Sequence, residues 1–416
     1  MTMENLFGNA IVGQSGGPTA AINATLAGVI EGVFAAQKAG KIGKLYGMEN
    51  GMEGLLQQRL LDLDEAFFDR SRLKTLKNTP ASALGSCRKK LPTPEKDPAI
   101  YADILRIFRK YDIRYFFYIG GNDSMDAVDK LSAYFAQNEY AIRIVGVPKT
   151  IDNDLTCTDH TPGFGSAAKY IATTIQEIVR DCAVYTVRAV TIVEIMGRDA
   201  GWLTTAAALP GALTGSGVDY LYLPERAFDM EQFFADISAA FEKHPNIVIA
   251  VSEGLRDADG HYVGEGTQSG VADAFGHRYL SGTGKALEMA VKEKFGCKVR
   301  SVELNLPQRC ASHLASATDI EESVAVGSHA VTLAVNGESG CMATILRKEG
   351  NDYAATYGSA PVSQVANAVK HVPDEYINEA GNGITAACVD YLRPLIMGEV
   401  APAYENGLPV HCILKP

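Results

Sequence analysis

The sequence predicts an α/β protein built on mostly parallel sheets with helices on both faces. Three observations predict it. Short apolar runs recur along the chain, each long enough for a buried strand and too short for a helix. Each run ends in a polar or glycine-rich turn. Most of these turns lead into a stretch with helical spacing of apolar residues, the alternation that parallel strands need for their crossovers. In such sheets ligands bind at the carboxyl ends of the strands.

The chain has 416 residues, enough for two or three domains. With 47% apolar and 21% charged residues its composition is that of an ordinary globular protein. A net charge of −11 argues against nucleic acid or an anionic membrane surface as the main partner. No apolar run reaches the length of a membrane span. Met1–Gly8 lacks the basic and apolar regions of a signal peptide. The eight cysteines form no CxxC pair and no His/Cys ligand spacing, so neither disulfides nor a zinc site is expected. These features together predict a cytoplasmic protein.

In chain order, Gly8–Gly13 reads as a strand, followed by Gln14-Ser15-Gly16-Gly17-Pro18-Thr19 and a helix over about Ala20–Ala36. Strand, small-residue turn and helix aim backbone N–H groups at an anion. A tight turn that needs glycine explains the same residues equally well. Gly43–Gly54 reads as a strand and loop. Gly85-Ser86-Cys87-Arg88-Lys89-Lys90 joins small residues to three cations in an acidic chain, which makes Arg88 a candidate phosphate contact. Pro98–Tyr111 has helical spacing at Ile100, Ile104, Ile107 and Phe108. Tyr115–Ile119 is an apolar strand ending in Gly120-Gly121-Asn122-Asp123-Ser124, with a helix from about Met125. A bare carboxylate repels phosphate, so Asp123 points to a metal bridge or to a limit on what binds there. Ser124 also reads as a simple helix cap.

Ile142–Val147 is the next buried strand, and it delivers Pro148-Lys149-Thr150-Ile151-Asp152-Asn153-Asp154. In an extended loop Asp152 and Asp154 point the same way. One carboxylate can take a proton from an attacking hydroxyl and the other can hold a metal, while the lysine neutralises phosphate oxygens. A solvated turn is the alternative reading of the same residues. A helix over Ser166–Arg180 follows, then a strand at Ala189–Ile195 ending in Met196-Gly197-Arg198. Asp199-Ala200-Gly201-Trp202 opens another helix. Asn246–Val251 ends in Ser252-Glu253-Gly254, and Val299–Leu304, the last clear strand, ends near Leu306-Pro307-Gln308-Arg309. Beyond Glu349 lie Pro and Gly clusters and a helix near Asn382–Leu395. Lys149, Asp152, Asp154, Arg198, Glu253 and Arg309 therefore all fall at strand carboxyl ends. Gly282-Thr283-Gly284-Lys285 lacks the upstream glycine and following Ser/Thr of a P-loop. His313 and His329 are not at metal spacing, and His329 reads as a core histidine.

Together these residues resemble the 6-phosphofructokinases, and within them the pyrophosphate-dependent branch. The resemblance covers about Ala10–Asp319. Ser15-Gly16-Gly17…Asn23 is similar to the family's first phosphate loop and Gly85-Ser86-Cys87-Arg88 to its second. Gly120-Gly121-Asn122-Asp123-Ser124 stands where the family has GGDGS or GGDDS. Thr150-Ile151-Asp152-Asn153-Asp154 resembles its catalytic motif. Met196-Gly197-Arg198, Glu253 and Gln308-Arg309 resemble its sugar-phosphate contacts.

The resemblance implies two doubly wound, mostly parallel-sheet domains of the phosphofructokinase type, with the active site in the cleft between them. Residues 1–160, joined by about 312–365, would form the phosphoryl-donor domain. Residues 161–311 would form the fructose 6-phosphate domain, and 366–416 an extension packed on the core. Asp152 would be the general base for the 1-hydroxyl of fructose 6-phosphate. Thr150, Arg198 and Lys149 would steady the transferring group, with Gly16, Arg88 and Asp123 at the donor. Ile151, Met196, Gly197 and Glu253 would line the sugar site. Arg309 and Leu306 would meet the 6-phosphate, with Arg300 of a neighbouring subunit; Arg188 is a further candidate. Asp154 and Asn122 would place Mg2+. A homodimer or homotetramer follows by the same analogy.

The family's ATP enzymes carry glycine at the positions of Asp123 and Lys149. A carboxylate repels a nucleotide α-phosphate, and an ammonium holds the outer phosphate of a shorter donor. Pyrophosphate is therefore the expected donor. Two residues depart from the family pattern: Asn122 replaces an aspartate and is a weaker metal ligand, and Leu306 stands in place of His or Tyr. The alternatives are an ATP-dependent enzyme of the same fold, or a non-catalytic sugar-phosphate-binding subunit.

Overall fold

A computed structural model describes residues 6–265, 282–350 and 352–414. Its strands are β1 (Asn9–Gln14), β2 (Leu45–Met48), β3 (Leu60–Asp62), β4 (Ile113–Gly120), β5 (Arg143–Pro148) and β6 (Ala189–Ile195). They continue with β7 (Tyr220–Tyr222), β8 (Asn246–Ser252), β9 (Lys298–Glu303), β10 (Cys341–Arg347) and β11 (Ala355–Pro361). A short hairpin, β12 (Tyr404–Glu405) and β13 (Leu408–Pro409), closes the described chain.

The strands form two open sheets. The larger has seven strands in the order β11-β10-β5-β4-β1-β2-β3. Its inner pairs are parallel, and only the edge strands β3 and β11 run antiparallel. The smaller sheet, β7-β8-β6-β9, is wholly parallel. This is the doubly wound α/β arrangement that the alternating pattern predicts. β4 and β5 are buried along nearly their whole length, which is why they read as unbroken apolar runs.

Two strands of the large sheet lie beyond the last one legible in the sequence. β10 inserts beside β5, and β11 folds back on it as the sheet edge. β11 is mostly half-exposed, with a central glycine and a terminal proline, so it carries little strand signal. The tail helix is also shorter than expected, Ala386–Leu392 followed by a single tight turn to Ile396.

Helix Ile22–Lys38 packs against helix Ala317–Val335 beneath the large sheet. The two backbones approach so closely that a Cβ at Gly28 would lie 2.0 Å from the Val324 carbonyl oxygen. Leu26, Ile30, Val326 and Ala330 fill the core around this crossing. Burying each of the leucine, isoleucine and valine side chains stabilises the fold by about 1.5–3 kcal/mol. Helix Pro98–Lys110 begins as its sequence directs: Pro98 occupies the first position, and the Asp97 carboxylate accepts a hydrogen bond from Ile100 N at 3.3 Å.

The tail knits the structure together. Val372, Ile377, Cys388, Tyr391, Leu392 and Leu395 join the core around Phe164 and Trp202 on the smaller sheet. Cys412 reaches the core of the larger sheet. Asp319 ties the two parts further, accepting hydrogen bonds from Gly163 N and Ser166 N, both at 2.9 Å. Among the described residues, no helix is long and apolar enough to cross a membrane.

Candidate active site

A cleft of about 300 Å³ opens where the carboxyl ends of the two sheets face each other. The large sheet supplies the loops after β1, β4 and β5. The small sheet supplies the loops after β6, β8 and β9. Lys149, Asp152, Asp154, Arg198, Glu253 and Arg309 all line it, as do Gly16, Arg88, Asn122, Asp123, Thr150, Ile151 and Met196.

The loop after β1 must be small because cations from other loops crowd it. Gly16 has φ +75°, and a Cβ there would lie 3.3 Å from Lys149 Nζ. A Cβ at Gly17 would lie 3.3 Å from an Arg309 guanidinium nitrogen. Side chains at these positions would occupy the space through which an anion reaches both cations. Lys149 Nζ donates to Gly17 O at 2.6 Å, and Lys149 N donates to Gly120 O at 3.0 Å, so β5 locks onto both phosphate-type loops.

The expected extended loop at Asp152–Asp154 is a bend instead. Asn153 has φ +54°, and its amide donates to Tyr391 Oη at 2.8 Å. Asp152 N donates to Thr150 Oγ1 at 3.1 Å. The bend keeps both carboxylates on the cleft although the alternation of an extended strand is broken. Burial pushes the Asp152 carboxyl up to about 7, and the like charge of Asp154 adds to the rise, against Arg198 and Lys149. Burial raises Asp154 as well, opposed by a backbone hydrogen bond and by Lys370. The Lys149 ammonium is lowered to about 8 by burial, with the two aspartates resisting. Across the cleft, burial lifts Glu253 to about 8, while Gly197 N donates to its Oε1 at 3.3 Å. Met196 N donates to Gln308 Oε1 at 3.2 Å, which couples the β6 loop to the turn carrying Arg309.

Among the described residues, Asp154 Oδ1 and Arg198 Nε are buried without a hydrogen-bond partner. The first is an acceptor suited to a cation and the second a donor suited to an anion. The Asn122 amide has other duties: Nδ2 donates to Ala368 O, and Oδ1 accepts from Asn367 N. Both ends of the amide are engaged by the tail, so Asn122 latches that segment to the donor loop. Asp123, in the first turn of helix Asn122–Gln137, pairs with Lys90 at 3.4 Å.

Three expected sugar-site residues do not line the cleft. Gly197 acts through its N–H on Glu253. Leu306 is 51% exposed at the start of the turn Pro307–Cys310. Arg300 lies mid-strand on β9 in a separate depression with Asp181, Tyr185 and Lys298, away from the cleft of its own chain. Arg188 stacks over the Phe241 ring at 5.0 Å. His329 is half-buried rather than a core residue, with Nε2 unpartnered among the described residues. Sequence reasoning missed Asp199, which lines the cleft and pairs with Arg256 at 2.9 Å. It also missed Lys370, whose neighbours carry no motif.

The fold and the cleft define a phosphofructokinase: the phosphofructokinase family profile matches residues 9–334, and the chain belongs to that family. A pyrophosphate--fructose 6-phosphate 1-phosphotransferase of Halomonas elongata is 43% identical over 96% of this chain and 94% of its own length. The protein of the same name in Methylococcus capsulatus is 40% identical over 98% and 96%. The crystal structure of a pyrophosphate-dependent phosphofructokinase from Nitrosospira multiformis superposes with a TM-score of 0.87 at 38% identity, covering 98% of this chain and 96% of that one.

Proposed function

We propose that this enzyme transfers a phosphoryl group reversibly from pyrophosphate to the 1-hydroxyl of fructose 6-phosphate, giving fructose 1,6-bisphosphate and phosphate. One observation carries the reading: two half-buried carboxylates, Asp152 and Asp154, share one cleft with Lys149, Arg88, Arg198 and Arg309. A base needs a carboxylate at the acceptor, and a polyanionic donor needs several cations around it. The names of the relatives above support the same substrates.

In the mechanism, Asp152 takes the proton of the 1-hydroxyl as that oxygen bonds to phosphorus and the bridging P–O bond of pyrophosphate breaks. Phosphate departs carrying the bond's electron pair. Lys149, Thr150 and Arg198 stabilise charge on the transferring group. Gly16 and Arg88 hold the donor, and Asp123 with Lys149 disfavours a nucleotide. Ile151, Met196, Gly197 and Glu253 orient the sugar. Arg309 binds the 6-phosphate, aided by Arg300 of a neighbouring subunit in a homodimer or homotetramer, with Leu306 at the rim. The unpartnered Asp154 Oδ1 fits Mg2+, which would neutralise pyrophosphate charge when bound. Residues 1–160 with 312–365 serve the donor, 161–311 serve the sugar, and 366–416 brace both. The eight free cysteines support a reducing, cytoplasmic setting.

Initial rates with Mg2+ and fructose 6-phosphate, using pyrophosphate and ATP in parallel, test the reading. Turnover with pyrophosphate and near-background rates with ATP are expected. A preference for ATP overturns the donor assignment, and inactivity with both favours a non-catalytic subunit.

A further inference from the structure

We propose that Lys370 is a positioning residue that sets the catalytic loop for phosphoryl transfer. The inference rests on the function proposed above. Lys370 lies outside the matched family region, 9–334, on the irregular segment after β11. Its ammonium donates to Asn153 Oδ1 at 3.2 Å, Thr158 O at 3.1 Å and Asp159 O at 2.8 Å. Its backbone N–H donates to Asp154 O at 2.8 Å. Main chain and side chain thus grip the same loop, at the residue between the two catalytic-motif aspartates and at the loop's far end.

The other contacts of this segment reach the donor loop and the small-sheet domain. The Lys370 carbonyl accepts from Trp202 Nε1 at 2.8 Å, beside the small sheet. Asn367 and Ala368 hold the Asn122 amide on the donor side. Val372 N donates to Glu225 Oε1 at 3.0 Å. Residues 367–372 therefore tie the donor loop, the catalytic loop and the sugar domain into one unit with Lys370 at its centre. Removing the ammonium leaves two main-chain carbonyls and an amide oxygen without that donor. The bend at Asn153 then keeps Tyr391 and the Lys370 N–H but loses one of the contacts that fix Asp152 relative to the acceptor hydroxyl.

The test compares wild type with Lys370→Met, which keeps the chain length and removes the donors. A displaced base is expected to lower kcat roughly 100-fold. Because Met196, Glu253 and Arg309, which hold most of the sugar phosphate in the proposed function, lie on other loops, the KM for fructose 6-phosphate should stay within about twofold. The thermal midpoint should fall by no more than a few degrees. A kcat near wild type overturns the proposal, and so does a parallel loss of kcat, KM and thermal midpoint, which marks a purely structural lysine. If Lys370→Met does not fold, Trp202→Phe decides, since it removes the donor to the Lys370 carbonyl and trims the ring that lies under the Lys370 ammonium. A several-fold loss in kcat at constant KM supports positioning, and unchanged kcat overturns it. Wild type without pyrophosphate-dependent turnover sinks the functional reading itself, and the catalytic role of Lys370 with it.

Discussion

To act as a base Asp152 must be ionised, and its surroundings oppose ionisation. Burial and the neighbouring Asp154 raise its carboxyl to about 7, against the pull of Arg198 and Lys149. The rate of phosphorylation should accordingly rise with pH through about 7, as measured by kcat/KM profiles. Asp152→Asn should lower kcat by about 10²–10⁴-fold, the usual worth of a positioned base. The same substitution should raise thermal stability. A carboxyl whose folded pKa is raised costs the fold nothing below its unfolded pKa. The cost grows as pH climbs from there through the folded value and is complete above it. The gain in melting temperature of Asp152→Asn should thus be full at pH 8 and shrink toward pH 4; equal melting curves at pH 8 contradict this. Gly16, Lys149 and Asp152 were expected at the site from their motifs, and all three line the cleft. The commitment of Asn122 to the tail was not, because its partners stand some 245 positions away in sequence.

At the scale of elements, the catalytic loop is held at its far end by His160. Its Nδ1 lies 2.8 Å from Asp159 Oδ2 and its Nε2 2.6 Å from Glu322 Oε2 on helix Ala317–Val335. Tyr353 Oη donates to the other Glu322 oxygen at 2.6 Å. Burial by itself would lower the imidazole pKa, but the hydrogen bonds and charges of Asp159 and Glu322 overcome it and raise the value. When protonated, the ring donates to both carboxylates and bridges the loop to the helix. A raised folded pKa contributes stability that is full below the unfolded value near 6.5 and lost as pH rises through the folded one. Thermal midpoints of wild type minus those of His160→Gln should therefore be largest in mild acid and decline at alkaline pH. A pH-independent difference would show that the ring serves only as packing. The strands that carry site loops were legible because each is a buried apolar run. β10 and β11 were not, because a half-exposed edge strand with glycine at its centre lacks that signal.

At the scale of the whole molecule, the placement of Arg300 decides how the site is completed. It sits apart from its own cleft, on a face with exposed Tyr185 and Val187. If it serves a neighbouring subunit, Arg300→Ala and Asp152→Asn proteins should each turn over poorly while hybrids regain activity. In a hybrid, the Arg300→Ala subunit keeps its own Asp152 and receives Arg300 from its partner. Random pairing into dimers predicts roughly a quarter of wild-type activity after co-refolding. No recovery above the separate variants would assign Arg300 a role within its own chain or none. The sequence by itself determined the class of fold, the order of the site loops and the chemistry at their tips. Strand periodicity and glycine-rich turns are local, and the sheet rule sends the carboxyl ends of the parallel strands to one edge. Only the tertiary structure decided which loops meet, that the Asp152–Asp154 segment bends, and that a distant lysine and tyrosine brace it. Those outcomes depend on contacts between residues far apart in the chain, and no local pattern encodes the partner of a single buried hydrogen bond.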